Sequence, residues 1–331
     1  MGMGQTARTR RATTTAVLVA AAMTAALAAG CTGTGTPADD GRGQPGTPDA
    51  SRSADGTAAP AAESVLAVKI DNVRAARPQT GLDAADVVYA EQVEGGLSRL
   101  MAVYATKLPK VVGPVRSARE SDLELLRQFE RPVLAFSGAQ GKLMPLINKA
   151  PLDVQTPEKV ADAYFRGTDK PSPHNLYLRP NKLLATAPGA DALTNGFHHG
   201  AAPAGGEPTA SRTVRYPAAR FTFTWSADRN RWLVSQDGTP TVTTDGERVA
   251  PATVVVQYVK IRKSAFHDFL GNNTPYTETV GSGRAEVLRG GRSYDAGWER
   301  ARAEDGTRFT TADGAPLNFA RGQVWVVFAK A

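Results

Sequence analysis

The chain has 331 residues, 21% of them charged, a formal net charge of +7 and a single cysteine. One cysteine rules out an internal disulfide framework, so stability has to come from packed cores, and the length suffices for two of them. Three of the positive charges (Arg8, Arg10, Arg11) fall in a segment expected to be removed, which takes +7 down by three to +4; that surplus, with no basic stripe interleaved with aromatics, argues against a nucleic-acid partner.

The first element is a leader. Arg8, Arg10 and Arg11 precede an apolar run from Ala16 to Ala29, broken only by Thr24. The run is too short to cross a bilayer comfortably as a mature helix, so residues 1–30 read as a signal peptide. Leu27-Ala28-Ala29-Gly30-Cys31 resembles a bacterial lipobox, with Ala28 where leucine is usual. Cys31 then takes a diacylglycerol thioether and anchors the protein on the extracytoplasmic face of the cell membrane. The alternative is an ordinary secretory signal cut after Ala28, leaving a free thiol. The Arg10-Arg11 pair hints at twin-arginine export, but Thr13 and Thr14 stand where a bulky apolar pair normally follows. Residues 32–63 contain no aromatic residue and no Ile, Leu or Val. Such a segment reads as a disordered tether, spanning roughly 30 Å root-mean-square.

Structure is expected from residue 64 onward. Val65–Ile70 reads as a strand ended by the turn signal Asp71-Asn72. Asp86–Glu91 and Arg99–Thr106 read as a strand pair joined through Gly95-Gly96, and Val111-Val112 as a short run into Gly113-Pro114. Ser117 and Glu120 have capping-box spacing, and Leu123, Leu126 and Phe129 the spacing of a helix that Pro132 ends. Pro132–Gly138 reads as a central strand, Leu143–Asn148 and Glu158–Tyr164 as short helices, and Asp169–Asn175 as an irregular loop. The pattern dissolves over residues 186–211, a linker or insertion holding the adjacent His198 and His199.

Beyond it the chain reads as β-rich. Phe221–Trp225 alternates and is answered by Trp232–Val234; Thr253–Ile261 is a strand; Tyr294 and Trp298 flank a turn; Thr307–Thr311 and Gln323–Phe328 pair around Asp313-Gly314. Trp225, Trp232, Trp298 and Trp325 read as core anchors.

Four strings go beyond generic pattern: Ala76–Leu82 (ARPQTGL), Glu91–Gly96 (EQVEGG) with Arg99, Gly113–Arg119 (GPVRSAR), and Pro173-His174-Asn175. With the lipobox they resemble the YerB-like lipoproteins, the DUF3048 family. The tail from Gly297-Trp298 through Phe309, Asp313-Gly314 and Gly322–Trp325 looks like that family's C-terminal domain. The resemblance implies a two-lobed α+β architecture in the bacterial envelope: an N-terminal mixed α/β lobe (64–185), then a β-rich C-terminal lobe (212–331). It implies no established activity.

The N-terminal lobe carries the candidate chemistry. Arg116 and Arg119 stand at the start of the expected helix, where free N–H groups and guanidinium ions suit a phosphate or carboxylate. The structural reading of the same residues is an ion-pair network with Glu91, Glu94 or Asp71. Candidate ligand-binding residues are Asn72, Arg77, Glu91, Glu94, Arg99, Arg116, Arg119, His174 and Asn175. The first reading is therefore binding of an anionic glycan or cell-wall component. The second is an envelope-polymer hydrolase using Glu91 or Glu94 and His174 as acid and base; carboxylates beside three arginines are poor proton donors. The third is a protein-interaction module on the β-rich lobe, with an envelope protein as partner. No cofactor is expected. No metal site is expected either: His174 lacks the spacing of a metal ligand set, and Gly281–Gly283 and Gly290-Gly291 lack the strand and helix context of a phosphate loop.

Overall fold

The segment opening at Val65 is apolar on both faces, which suits a strand covered from both sides, and it forms β1 (Leu66–Asp71), buried throughout. The structure, a computed structural model, describes residues 64–268 and 271–331. The expected signal peptide, the lipidated Cys31 and the tether lie outside the described residues.

After β1 come β2 (Val87–Gln92), β3 (Ser98–Tyr104), α1 (Glu120–Leu126), β4 (Val133–Ala135), α2 (Met144–Lys149), β5 (Asp153–Gln155), β6 (Tyr164–Arg166) and β7 (Leu176–Leu178). The rest of the chain supplies β8 (Glu207–Pro208), β9 (Ser211–Tyr216), β10 (Ala219–Ser226), β11 (Arg231–Gln236), β12 (Thr239–Pro240), β13 (Thr253–Val259), β14 (Ile261–His267), β15 (Asn273–Thr277), β16 (Gly281–Arg289), β17 (Arg292–Arg300), β18 (Arg308–Thr310) and β19 (Val324–Lys330). The main sheet runs β18-β17-β16-β13-β19-β2-β3-β1-β4-β5, with β8 added to β17. The last strand, β19, lies between β13 and β2 and pairs with both in parallel. One sheet therefore joins residues from both ends of the described region.

Each face of this sheet has its own core. On one face the small sheet β12-β11-β10-β9 stacks Phe221, Phe223, Trp232 and Val234 over Val88, Ala90, Val254 and Trp325. Phe221 and Phe223 meet Trp325 edge-on at 6.2 and 6.0 Å, geometry that the ring quadrupoles favour. On the other face α1 and α2 lay Leu125, Leu126 and Ile147 over Ala67, Tyr89, Met101 and Phe328.

Several expectations change. The protein is mostly β, more so than an α+β class implies; α1 and α2 are the α-helices among the described residues. Glu158–Tyr164 makes only a 3₁₀ turn at Ala161–Ala163 before Tyr164 enters β6, because a seven-residue helix is marginal without strong packing. Pro132–Gly138 yields the three-residue β4, next to the edge strand β5 rather than central. Tyr294 and Trp298 do not flank a turn: Tyr294, Ala296 and Trp298 alternate inward along β17. β18 and β19 do not pair; β18 adds to β17, and the continuous apolar run of β19 belongs inside the sheet.

Candidate functional site

Strand alternation builds the site. Along the helix-covered face of the sheet, Val65 and Ala67 of the β1 segment, Val87 and Tyr89 of β2, and Met101 and Val103 of β3 are core residues. The next positions on that face are Lys69, Asp71, Glu91 and Arg99, so four charges follow directly on apolar neighbours. The register sets Asp71 opposite Arg99, and Arg99 opposite Glu91. All four are buried.

These charges sort into two clusters. In the first, Lys69 donates to Glu91 and, at 2.6 Å, to Oδ1 of Asp122 on α1. Ser121 Oγ donates to the second Glu91 oxygen at 2.9 Å. In the second, Asp71 lies 3.4 Å from Arg99 and 3.5 Å from Arg116, and its Oδ2 meets His174 Nδ1 at 2.7 Å. Burial pushes the Asp71 carboxyl up. Arg99, the His174 hydrogen bond and Arg116 outweigh that and hold it below the usual carboxylate range. Arg99 itself is pulled down to about 10, chiefly by burial.

A third pair stands beside them. Arg119 grips Glu94 with two parallel bonds, Nε to Oε1 at 2.7 Å and Nη2 to Oε2 at 2.8 Å, and Thr274 Oγ1 on β15 adds a third at 2.6 Å. Burial raises the Glu94 pKa, but the Arg119 bonds win and the net shift is downward. A carboxylate so held is a poor general acid. Glu91 is in no better position, with Lys69 and Ser121 on its two oxygens. The hydrolase reading draws no support from this arrangement.

The anion expected at the helix entrance is the chain's own. Asp122 Oδ2 accepts the backbone N–H of Arg119 at 2.7 Å, so the capping partners are Arg119 and Asp122, not Ser117 and Glu120. Helix α1 has only seven residues, and its start offers no separate anion site.

Arg116 and Arg119 nonetheless meet on common ground. With Arg99 and Glu94 they line a cavity of about 570 Å³ that also exposes the apolar Leu97 and Phe266. Arg116 is anchored through its main chain, its N–H donating to Lys69 at 2.8 Å and its carbonyl accepting from Ser137 at 3.0 Å. Its guanidinium is a quarter exposed, and its one ion-pair partner among the described residues is Asp71 at 3.5 Å, beyond hydrogen-bond length.

Other expected residues lie elsewhere. Arg77 pairs with Asp237 at 2.7 Å and donates to the Asn72 carbonyl, joining the ARPQTGL segment to the small sheet instead of the arginine cluster. Asn72 is taken by Ser98 and Gln79. Asn175 bonds Arg166 and the Gly167 carbonyl, fixing its own loop. His174 reaches Asp71 but does not line the cavity. Among the described residues no group of three His, Cys, Asp or Glu side chains is placed to hold a metal ion, and no helix is long and apolar enough to cross a membrane.

Lys69 and Asp122 escaped the sequence reading. The signal for Lys69 was a lone charge inside an unbroken apolar strand; for Asp122 it was an acid three residues past the N-cap. Phe266 and Thr274 carry no comparable signal, since only the chain's return through β14 and β15 brings them near.

Comparison with known proteins bears on the whole described region. Residues 53–193 match the "Protein of unknown function (DUF3048) N-terminal domain", and residues 212–326 the DUF3048 C-terminal domain. The YerB protein of Bacillus subtilis (strain 168), named as a lipoprotein, is 25% identical over 271 residues, covering 79% of this chain and 80% of YerB. The crystal structure of Bacillus subtilis YerB superposes with a TM-score of 0.67 at 20% identity, covering 81% of this chain and 91% of that one, so the two share a fold.

Proposed function

The chain belongs to the DUF3048 family, and on that premise we propose that it is a lipid-anchored protein of the extracytoplasmic membrane face that binds an anionic glycan or wall component in the Arg99–Arg116–Arg119 cavity. The anchoring rests on the leader ending at Cys31 and on the lipoprotein name of the YerB relative. The same reading keeps the two-lobed arrangement, 64–185 and 212–331 joined by 186–211; in its support, one family match ends at 193 and the other begins at 212.

The observation that carries the binding reading is the Arg116 guanidinium. It faces a roomy cavity, its one ion-pair partner among the described residues, Asp71, is 3.5 Å away, and that carboxylate is shared with Arg99 and His174. Arg119, by contrast, is satisfied by Glu94. A carboxylate or phosphate group entering the cavity supplies the acceptor that Arg116 lacks, and Leu97 and Phe266 offer apolar surface to the body of the ligand.

Calorimetric titration with a polyglycerol-phosphate polymer and with a polyuronate tests this. Binding of one of them, weakened roughly tenfold or more in Arg116→Ala, is expected from the loss of a charged hydrogen bond. Equal affinity of the variant and the parent for both polymers would refute it.

A further inference from the structure

The Lys69 cluster takes no part in the binding proposal, and its chemistry points elsewhere. Lys69 and Asp122 are each 0% exposed, with Nζ 2.6 Å from Oδ1. Glu91, 4% exposed, touches the same Nζ. An amine and two carboxyl groups are thus confined together, away from water, by β1, β2 and α1.

We propose that Lys69 and Asp122 become joined through an amide bond, closed with Glu91 as the acid–base group. In water an amine and a carboxylic acid persist as hydrated ions, and that hydration is what opposes condensation. Burial removes it. Desolvation lowers the Lys69 pKa, so burial favours its free amine over the ammonium. The form that reacts is reached when the Lys69 proton moves across the 2.6 Å hydrogen bond to Asp122 Oδ1, leaving a free amine beside a carboxylic acid. Two such groups fixed in contact have an effective concentration on the order of 10⁵ M or higher.

The step balances without oxidant or cofactor. The Nζ lone pair attacks Cγ of protonated Asp122, and the N–C bond forms. Ionised Glu91 takes one Nζ proton and passes it to the departing hydroxyl, the C–O bond breaks, and one water leaves. The product fits the surroundings. Asp122 Oδ2, which already accepts the Arg119 N–H at 2.7 Å, becomes the amide carbonyl oxygen. Glu91 Oε2 is held by Ser121, which orients the acid. Residues 64–331 contain no cysteine, so a disulfide is not open to this domain. An amide here ties β1 to the start of α1, beside Arg116 and Arg119.

The test is a tryptic digest of the full chain, purified from the membrane fraction and denatured before cleavage. Trypsin is expected to spare the Lys69–Ile70 bond. Peptide 53–74 should carry peptide 120–127 as a branch, lighter than the two together by one water, with fragmentation placing the branch at Asp122. Full recovery of linear peptides 53–69 and 120–127 overturns the proposal. A branch at Glu91 overturns the choice of Asp122. Glu91→Gln is expected to return the linear peptides, and a branched species in full yield from that variant overturns the role of Glu91. The unmutated chain decides the existence of the bond whether or not the variant folds.

Discussion

Lys69 and Asp71 stand two residues apart on one face of β1, yet their surroundings differ in kind. Around Lys69, one cation serves two carboxylates and solvent is excluded. Around Asp71, one carboxylate serves two guanidinium groups and a histidine, and Arg116 is open to the cavity. The first cluster lies beneath α1, where the helix closes over the sheet; the second lies where β1 and β2 end and the loops that follow them diverge. The same residue types are thus sealed in or cavity-facing according to one step along a strand. Charge near a cleft does not identify a site; the side chain whose acceptor is missing does.

The largest effect should come from breaking the sealed cluster. Lys69→Met leaves Glu91 and Asp122 buried with neither an ammonium nor the proposed amide beside them, and removing one partner of a buried pair costs about 3–5 kcal/mol. Chemical denaturation should show that loss as a fall in midpoint with little change in slope. An equally stable variant would mean that water reaches the cluster and that the contrast with Asp71 is false.

Glu94→Gln comes next. It keeps the shape but strips the charge from the Arg119 pair and disturbs the Thr274 bond that ties β15 to the site. A charged hydrogen bond contributes roughly 1.5–3 kcal/mol, so a loss in that range is expected, again from denaturation midpoints.

The acid limb of the stability curve sharpens the comparison further. The Asp71 carboxyl is depressed in the folded state, so its stabilisation is complete above the unfolded carboxylate range and is lost as pH falls through the depressed value. Stability should therefore decline below about pH 4, the range where free aspartate titrates. In Asp71→Asn that decline should be shallower. An unchanged acid slope would remove Asp71 from the linkage and with it the ion-pair account of the open cluster.

Much of the sheet was legible beforehand, because strands covered on both faces write continuous apolar runs: β13 fell within its expected segment, and β1, β3 and β19 overlapped theirs, overrunning them by one or two residues. Their order was not, since nothing local in Gln323–Phe328 says that the last strand inserts beside β2. The arginines were legible as a group because they sit in short, unusual strings. Their division was not. Arg77, Arg99, Arg116 and Arg119 look alike in sequence, and only long-range register gives Arg77 to Asp237, Arg119 to Glu94, and leaves Arg116 with a distant counter-ion. Lys69 was hidden for a related reason: a strand pattern predicts that a face is buried, but not that acids from β2 and α1 arrive to neutralise a lysine on it.

The smallest stability effect and the sharpest functional one should coincide at Arg116. Its single ion pair is long and partly exposed, so Arg116→Ala should change stability by less than about 1 kcal/mol. Arg116→Lys should change it less still while keeping the charge. The pair of variants then separates two kinds of recognition. If the ligand is gripped by the planar fork of the guanidinium, lysine does not restore affinity, because its ammonium presents a point charge. If the cavity only gathers negative charge, lysine restores binding and the affinity falls steeply with salt. A stability loss in Arg116→Ala as large as in Lys69→Met would show instead that the open cluster is as structural as the sealed one.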